Sequence, residues 1–425
     1  MKPTATVTPP SRLEAEIQAA SSTPSRASVT FGSFSSLNFR WLLGGTLGSS
    51  FAMWMEQIGQ GWLVQQLTNS PFQLGLVQFV RGFSIIFISP FAGALAERVD
   101  RRKLAGAAAA VQACNALAIG ILVATGNIAV WQLYITAFIG GLSSSVSNPV
   151  RQYLVFDAVG EEQLPNAIAL NTMVNNMARV VGPGIAGFIV GISISSVFFA
   201  EFVFFIVGVL SLVQMRFVQA PPKQREPVLQ GIRLGVVYLV KHKTLLRLTA
   251  LQAIPSALVF PYLQMVPNIA KNYLHVGGTG FGVLQTGVGI GSLVSALFVA
   301  SLANIRHKGS IASIALMTYM TMILAFSFSR VYVLSLLFLI LGGLGLVVFS
   351  TFNQTLLQLN LENEYRGRVL SLYTMVQGLN PFGSLLLGYV AEQWLGAPHA
   401  IALFCAVAIV LAFVGGLASK DVRSL

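Results

Sequence analysis

Four ionisable residues stand inside long apolar stretches of the sequence, where a charge needs a physical reason. They are Glu56, Arg81, Arg179 and Glu201. A charged side chain in the hydrocarbon core of a bilayer costs at least roughly 2.5–3.5 kcal/mol, so we expect each of them to face a cavity or a partner of opposite charge. Carboxyl groups in such places take up and release protons, and arginines bias that exchange.

The spacing of these residues predicts two pairs. If their segments form helical hairpins, a rise of 1.5 Å per residue puts Glu56 and Arg81 both ~14–16 Å from the shared turn. The same calculation puts Arg179 near ~16 Å and Glu201 near ~10 Å, a difference that an arginine side chain can bridge. We therefore expect Glu56 to meet Arg81, and Arg179 to reach Glu201.

Two interpretations of these pairs remain open. Glu56 is either a proton site, switched when an arginine moves or a cationic substrate arrives, or half of a permanent ion pair that fixes helix packing. For Glu201 the structural pair is favoured. Arg179 serves either helix packing or the electrostatics of a cavity.

Signals of other chemistry are absent from the sequence. It has no phosphate-binding G-x-x-x-x-G-K-[ST] loop, so we expect no nucleotide-driven motor. The histidines and cysteines have no metal-ligand, catalytic-triad or disulfide-framework spacing. These residues are His242, His275, His307, His399, Cys114 and Cys405. We expect no enzyme activity, no metal and no cofactor.

The elements that must hold the four charges are membrane-spanning helices. The chain has 425 residues, is 55% hydrophobic and only 9% charged, and has a mean hydropathy of +0.73. A spanning helix needs about 20 mostly apolar residues, and twelve segments qualify. Their approximate cores are 39–66, 72–96, 104–125, 129–152, 165–190, 195–217, 245–270, 279–302, 310–329, 331–356, 368–391 and 398–418.

The basic residues predict the orientation. All but four of the 26 Lys and Arg residues lie in the termini, in the connections on one side, or at adjacent helix ends. The exceptions are Lys271, Arg330, Arg81 and Arg179. This asymmetry places both termini in the cytoplasm and predicts an inner (plasma) membrane location. Topology and anionic lipid therefore account for the net charge of +12, and nucleic acid is not an expected partner.

Composition divides the chain into four parts. Residues 1–30 are rich in Pro, Ser, Thr and Ala and predict a disordered cytoplasmic tail, with a transit peptide as the alternative. A six-helix bundle is expected over 31–217 and another over 244–420. Between them, 218–243 is expected to be a cytoplasmic linker with an amphipathic helix at the membrane interface, drawn from 231–247.

The two bundles resemble each other in sequence. Leu74-Gly-Leu-Val-Gln78 matches Phe281-Gly-Val-Leu-Gln285, and Gly93-Ala-Leu-Ala-Glu97 matches Ala300-Ser-Leu-Ala-Asn304, both at one common offset. A parallel repeat of six helices predicts pseudo-twofold symmetry about the membrane normal, with a binding site between the halves. The predicted fold is thus an all-α membrane protein of twelve transmembrane helices in two six-helix bundles.

Two motifs resemble those of the major facilitator superfamily. Gly93-x-Leu-Ala-Glu-Arg-x-x-Arg-Arg102 resembles its loop motif, and Arg179-Val-Val-Gly-Pro-Gly-Ile-Ala-Gly187 resembles its antiporter motif in partial form. Further stretches resemble the branch of the enterobactin exporter and drug–proton antiporters, and the similarity covers about 31–420. These stretches are Gly61-Trp-Leu-Val64, Leu67-Thr-Asn-Ser-Pro71, Pro149-Val-Arg151, Leu164-Pro-Asn-Ala-Ile-Ala-Leu-Asn171 and Tyr365-Arg-Gly-Arg-Val-Leu-Ser371.

The resemblance implies a cytoplasmic gate. Glu97 would interact with the start of the eleventh helix near 366–368 and close that side in the outward-facing state, while Gly93 allows close approach. Arg98, Arg101 and Arg102 would hold Glu97 or lipid phosphates; for 101–103 a plain positive-inside anchor is the alternative. The motif departs from the family pattern, with Glu97 for Asp and Asp100 for Gly. The second-half copy carries Asn304 in place of the acid, so an asymmetric gate is expected.

The antiporter-like motif implies a seal between the halves and is associated with export. Its backbone-shaping residues are Gly182, Pro183, Gly184 and Gly187. Proline kinks a helix and glycine admits a neighbouring backbone, so ordinary small-residue packing is a compatible explanation. Ala178 and Ala186 stand where the family has glycine.

Polar and aromatic residues inside the helices are candidates for the substrate cavity. They are Trp54, Gln57, Gln60, Asn175, Tyr262, Gln264, Gln285, Asn353 and Gln377. A mostly apolar cavity with a few amides suits amphipathic compounds. Hydrogen bonding between helices is the alternative for each of them.

Together these observations predict a secondary active transporter that works by alternating access. The expected activity is proton-coupled efflux of a small amphipathic or hydrophobic compound, drug-like or siderophore-like. A proton-coupled importer or lysophospholipid transporter of the same fold is the alternative. A receptor or scaffold that does not transport, and a membrane enzyme, are disfavoured. The expected partners are the substrate, protons and membrane lipid, and the protein is expected to be a monomer.

Overall fold

A computed structural model describes residues 32–215, 228–301, 307–362 and 365–417, and within these ranges the secondary structure is helical, with no strand. Gly160 (φ 74°), in a left-handed conformation that glycine tolerates, divides the helical stretch Val130–Ile192 in two. The first six spans are α1 Leu37–Thr68, α2 Pro71–Arg98, α3 Arg101–Ala124, α4 130–159, α5 161–192 and α6 Ile194–Gln214.

The second half follows a short helix, α7 (Val228–Lys241). Its six spans are α8 Lys243–Asn272 with a π-helical turn at Pro255–Val259, α9 Gly278–Ser301, α10 Lys308–Phe328, α11 Tyr332–Leu359, α12 (Arg366–Gln377, Asn380–Val390 and a π-helical turn at Ala391–Leu395) and α13 Gly396–Ala412. The predicted fold of twelve transmembrane helices in two six-helix bundles is confirmed.

The predicted amphipathic helix is shorter than expected. Helix α7 ends at Lys241 and His242 is extended, so 243–247 form the first turns of α8. Helix α7 packs against the start of α12, where Tyr238 stacks on Tyr365 with ring centroids 4.2 Å apart. The tail and the first part of the linker, 218–227, lie outside the described residues.

Short polar turns end and restart the helices. Asn69 adopts a left-handed conformation (φ 50°) after α1, and its N–H bonds to the Gln65 carbonyl. Ser70 Oγ then accepts from the Gln73 N–H, 3.1 Å away, and caps α2. Asp100 caps α3 by accepting from the Arg102 N–H at 2.9 Å. We call the side of the membrane on which α1 begins and α13 ends the terminal side, and the opposite side the far side.

The two halves pack most closely in the far-side part of the membrane. In α2, a Cβ at Gly75 would overlap the Ser384 carbonyl of α12, and one at Gly82 would overlap the Pro381 ring. The absence of side chains therefore lets the two helices come into backbone contact.

The same arrangement recurs on the other side of the interface. A Cβ at Gly282 of α9 would lie 2.5 Å from the Gly187 Cα of α5, and one at Gly289 would lie 2.8 Å from the Val180 Cα. The spacing of these two glycines matches that of Gly75 and Gly82 in α2. The repeat detected in the sequence thus corresponds to two equivalent contacts between the halves.

Candidate functional site

A buried ion pair lies inside the first bundle. Arg81 Nη2 of α2 donates to Glu56 Oε2 of α1 over 2.7 Å, and Glu56 is 1% exposed. Gly140 of α4 leaves room for the other carboxylate oxygen, because a Cβ there would lie 2.8 Å from Glu56 Oε1. That oxygen has no hydrogen-bond partner among the described residues. The ion pair between Glu56 and Arg81, which we expected from their equal depth, is therefore formed, and one of the two carboxylate oxygens has no hydrogen bond within the described residues.

A second acid belongs to the same cluster. Glu201 of α6 is 1% exposed, its Oε2 has no partner within the described ranges, and it interacts electrostatically with Glu56 and Arg81. Helix α6 packs on α1, where a Cβ at Gly59 would lie 3.3 Å from the Phe198 ring. Two buried carboxyls and one arginine thus lie close enough to influence one another, and Arg81 is hydrogen-bonded to Glu56. We call Glu56, Arg81 and Glu201 the acid pair cluster.

The bridge that we expected between Arg179 and Glu201 is not formed. The two residues lie at similar depths in the membrane, but their side chains have different surroundings. Glu201 is buried in the interior of the first bundle, whereas Arg179 is exposed to a cavity between the halves. Depth along a helix does not fix which face a residue occupies, which is why the estimate failed here.

Gln112 of α3 lies beside the ion pair. Its Oε1 is buried without a hydrogen-bond partner among the described residues. A Cβ built on Gly140 would lie 3.7 Å from this oxygen and 2.8 Å from Glu56 Oε1, so both oxygens lie on the same side of Gly140. Rotation of an amide about its last bond exchanges an acceptor for a donor. The Gln112 amide can thus present either an acceptor or a donor on this side of Gly140.

The acid pair cluster borders a polar cavity of about 650 Å³. Glu56 and Arg81 form part of its lining, together with polar faces of α4 and α5. Arg151 of α4 also lines it, is half-buried and donates to Ser49 Oγ. Sequence reasoning missed Arg151 by counting it among the helix ends of the terminal side. The signal was present as a polar stripe at helical spacing on α4, formed by Ser144, Asn148, Arg151 and Gln152.

A smaller cavity of about 190 Å³ adjoins the first one. Arg81 and Asn148 line both. Three of the predicted cavity residues converge here: Gln57 and Gln60 from α1 and Gln264 from α8 of the second half. The predicted Asn175 lines the larger cavity and accepts from Ser50 Oγ at 2.7 Å.

A third cavity, of about 270 Å³, lies against the second half. Arg179 is the ionisable residue of its described lining, beside the amides Gln252 and Asn380 and the hydroxyls Ser256 and Ser350. Asn171, Asn175 and Arg179 follow one another at four-residue spacing, so one face of α5 carries both the larger cavity's amides and this arginine.

Other predicted cavity residues have packing contacts instead. Trp54 lies against Gly182, where a Cβ would be 2.9 Å from the Trp54 Cβ. Tyr262 is 1% exposed and enclosed within the second bundle. Gln285 donates to the Leu263 carbonyl at 3.5 Å. The side chain of Gln377 lies outside the described residues.

Asn353 belongs to a neutral network in the second bundle. Its Nδ2 donates to the Leu248 carbonyl at 3.0 Å and to Tyr373 Oη at 3.3 Å. Tyr373 in turn donates to Gln252 Oε1 at 2.9 Å, and Gln252 donates to Ser256 Oγ at 3.4 Å. Hydrogen bonding between helices, the alternative to a place in the substrate cavity, therefore accounts for Asn353.

The antiporter-like motif faces both neighbours of α5. Gly182 packs on α1, whereas Gly184 and Gly187 face α9 of the second half. A Cβ at Gly184 would lie 3.0 Å from Thr286 Oγ1, and one at Gly187 would overlap the Gly282 backbone. Pro183 lies within the helix between these contacts. The motif thus forms part of the interface between halves.

The loop motif is described only in part. The surroundings of Gly93 and the side chains of Glu97 and Arg98 lie outside the described residues. Arg101, which we expected to hold Glu97 or lipid phosphate, donates to Asp157 Oδ2 at 3.0 Å and stacks 4.7 Å over the Tyr153 ring. Arg102 donates to the Met215 carbonyl at the end of α6. Both arginines therefore tie the first bundle together at its terminal side.

On the far side, two charges of the second half hold the turn between α1 and α2. Lys271 Nζ donates to the Gln65 carbonyl at 3.3 Å, in the last turn of α1. Glu392 accepts from the Phe72 N–H at 3.0 Å and from Ser70 Oγ, at the start of α2. Each charge lies at the helix end whose dipole it complements. We call these contacts the far-side clamp.

Comparison with known proteins relates the chain to transporters. A family model described as "Transmembrane secretion effector" matches residues 28–423. The staphyloferrin A transporter of Staphylococcus aureus is 23% identical, covering 80% of this chain and 86% of the relative. The enterobactin exporter EntS of Citrobacter koseri is 23% identical (76% and 78%), and macrolide efflux protein A of Streptococcus pyogenes is 20% identical (82% and 87%).

Solved structures show the same fold at low identity. The nucleoside transporter NupG has a TM-score of 0.67 at 14% identity, covering 89% of this chain and 98% of that one. A bacterial homolog of the human lysosomal transporter Spinster has a TM-score of 0.65 at 12% identity, covering 95% and 98%.

Proposed function

The chain belongs to the transmembrane secretion effector family of the major facilitator superfamily, and on this basis we propose that it exports a small organic compound in exchange for protons. The protein is a multi-pass membrane transporter of small molecules and not an enzyme. Relatives named for siderophore export and macrolide efflux support export as the direction.

The observation that carries proton coupling is the acid pair cluster beside the polar cavity. Two carboxyls around one arginine leave an excess negative charge in a low-dielectric interior when both are ionised. One proton shared between Glu56 and Glu201 removes that excess, and each acid has an unpartnered buried oxygen that can carry it. The cluster therefore suits a group that holds a proton in one state of the cycle and releases it in the other.

Close packing on the far side supports alternating access. The glycine contacts of α2 and α9 and the far-side clamp hold the two halves together on that side. If the terminal side is cytoplasmic, as the basic residues indicate, this conformation is closed to the outside and faces inward. In the exchange that we propose, the proton leaves toward the cytoplasm before the substrate binds, and another arrives from outside after release.

We propose that Glu97 forms the opposite closure in the outward-facing state. The carboxyl ends of α2 and α12 lie on opposite sides, because the two helices are antiparallel. Glu392 at the end of α12 already bonds to the start of α2 on the far side. Glu97 at the end of α2 would do the same for the start of α12. Glu97→Ala should shift the inward–outward balance toward inward, as measured by distances between spin labels on the two halves.

The decisive experiment for the transport cycle is flux in proteoliposomes with an imposed pH gradient and a set of labelled compounds. Glu56→Gln and Glu201→Gln should each lower gradient-driven flux by about 5- to 150-fold, the range of coupling between two sites. Both variants should still exchange internal for external compound without a gradient, which would prove that they are folded and able to bind.

The matched control is Glu161→Gln, which changes an exposed glutamate at the turn between α4 and α5. It should retain gradient-driven flux. Full pH-driven flux in the Glu56→Gln/Glu201→Gln double variant would eliminate the proton role of the cluster. Transport by another energy source would then remain.

A further inference from the structure

Among the described residues, three of the four charged side chains that line the larger cavity and the cavity against the second half are arginines. Arg81 and Arg151 line the larger cavity, and Arg179 lines the cavity against the second half. Glu56 is the acid among the described lining residues of these cavities, and its Oε2 is occupied by Arg81. A cleft lined by charges of one sign concentrates counter-ions of the other sign.

Two of these arginines have no carboxylate partner in the described part of the chain. Among the residues that the structure describes, no acid lies within ion-pair distance of Arg151 or Arg179. Arg151 donates to one neutral hydroxyl, Ser49 Oγ, although a guanidinium has five N–H groups. A half-buried arginine inside a membrane protein, such as Arg151 with its one neutral hydroxyl partner, is costly unless water or a ligand completes its hydrogen bonds.

The surroundings of Arg151 add neutral donors in reach of the same space. Asn148 and Gln152 lie on the same face of α4, and Asn171 and Asn175 line the cavity from α5. Guanidinium and amide N–H groups together match the oxygens of a carboxylate, which a guanidinium can bind through two parallel hydrogen bonds.

We propose that the transported compound is an anion, whose carboxylate or similar oxyanion group binds Arg151 and whose remainder extends toward Arg179. This inference rests on the proposed transport function and narrows the amphipathic compound expected from the sequence to one that carries an anionic group. The cavity of about 650 Å³ accommodates a compound of several rings or of several acid groups.

The charge of the substrate also decides whether the membrane potential drives export. Exchange of an outgoing anion for an incoming proton moves net positive charge inward. An inside-negative potential then drives the exchange, by about 2.3 kcal/mol for each charge and 100 mV. A cation exchanged for one proton would show no such dependence.

The test compares two dyes that share a ring system but differ in charge: carboxyfluorescein, an anion, and rhodamine 123, a cation. Fluorescence anisotropy on the full chain in lipid nanodiscs measures binding of each dye. The anion should bind at least about tenfold more tightly than the cation, as expected for a charge-assisted contact. Arg151→Gln should remove that preference, and Arg151→Lys should keep part of it.

Arg40→Gln is the matched control, because Arg40 is exposed and bonds to the Phe34 carbonyl outside the cavities. It should leave binding of both dyes unchanged. In proteoliposomes, an inside-negative potential should accelerate export of carboxyfluorescein. Carboxyfluorescein binding that is equally tight in wild type and Arg151→Gln would overturn the anion proposal and leave the transport proposal standing. So would a wild-type protein that binds and transports rhodamine 123 as well as carboxyfluorescein.

A lipid headgroup could supply the same oxyanion. Nanodiscs of neutral phosphatidylcholine and nanodiscs containing phosphatidylglycerol distinguish the two sources. If the anionic lipid abolishes dye binding and native mass spectrometry finds it retained by the wild type but lost in Arg151→Gln, the site binds lipid and the substrate proposal is wrong. Dye binding that is equal in both lipids supports the proposal. A lack of carboxyfluorescein binding in neutral lipid contradicts it.

Discussion

The interiors of the two six-helix halves differ although their folds repeat. The first half encloses charges, with Glu201 beside the Glu56–Arg81 ion pair. The second half encloses a neutral chain of hydrogen bonds through Asn353 and Tyr373. A titratable group in a low-dielectric interior changes its interactions greatly when it gains a proton, whereas a satisfied neutral network has one stable arrangement. From this difference we expect switching in the first half and a fixed framework in the second.

The largest expected effect that tests this contrast is in the first half. Arg81→Gln leaves the buried carboxylate of Glu56 without its partner, which costs about 3–5 kcal/mol of stability. The loss should be smaller at acidic pH, because protonation of Glu56 removes the unpaired charge. Thermal unfolding in nanodiscs at neutral and acidic pH measures it. The Arg81→Gln/Glu56→Gln double variant should recover most of the stability; equal loss in the single and double variants would contradict the ion-pair explanation.

A smaller effect is expected in the second half, and it should not depend on pH. Tyr373→Phe removes the donor to Gln252 Oε1 and should cost about 1–3 kcal/mol. Gradient-driven flux should persist. Tyr319→Phe is the matched control, because Tyr319 Oη is buried without a partner in the described ranges, so its removal should not destabilise. If Tyr373→Phe removed the pH dependence of transport, the assignment of switching to the first half would be wrong.

The smallest effect concerns the contact between the halves. Lys271→Gln and Glu392→Gln each remove one charge of the far-side clamp, worth about 0.5 kcal/mol at an exposed helix end. Each should raise the far-side-open population about twofold. Spin labels at positions 127 and 330, on turns of the two halves, report the distance by electron resonance once Cys114 and Cys405 are replaced. Unchanged distance distributions in the double variant would show that the glycine contacts alone hold this side.

The sequence was most informative where the physical signal is local. Hydropathy over about 20 residues located the spans, because each helix must satisfy its own backbone and match the bilayer thickness. The repeat appeared in the sequence because Gly75 and Gly282 have equivalent packing roles. The pairing of Glu56 with Arg81 followed from depth, since the two helices are joined by a short turn.

Contacts between distant segments required the tertiary structure. Arg179 and Glu201 lie at similar depths, but the direction in which each side chain points depends on how six helices pack around one another. Arg151 resembled a basic helix end in the sequence, and the packing of α1 against α4 placed it in the cavity. Arg101 carries a positive charge expected of any cytoplasmic loop, and the structure also pairs it with Asp157.

The sequence by itself determined the twelve spans, the two related halves and the presence of charges within them, because length, hydropathy and helical spacing are properties of single segments. The tertiary structure alone decided that Glu201 lies near the Glu56–Arg81 ion pair and that Arg151 and Arg179 face open cavities. The reason is that the rotation of each helix about its axis is set by side-chain packing between segments far apart in the chain.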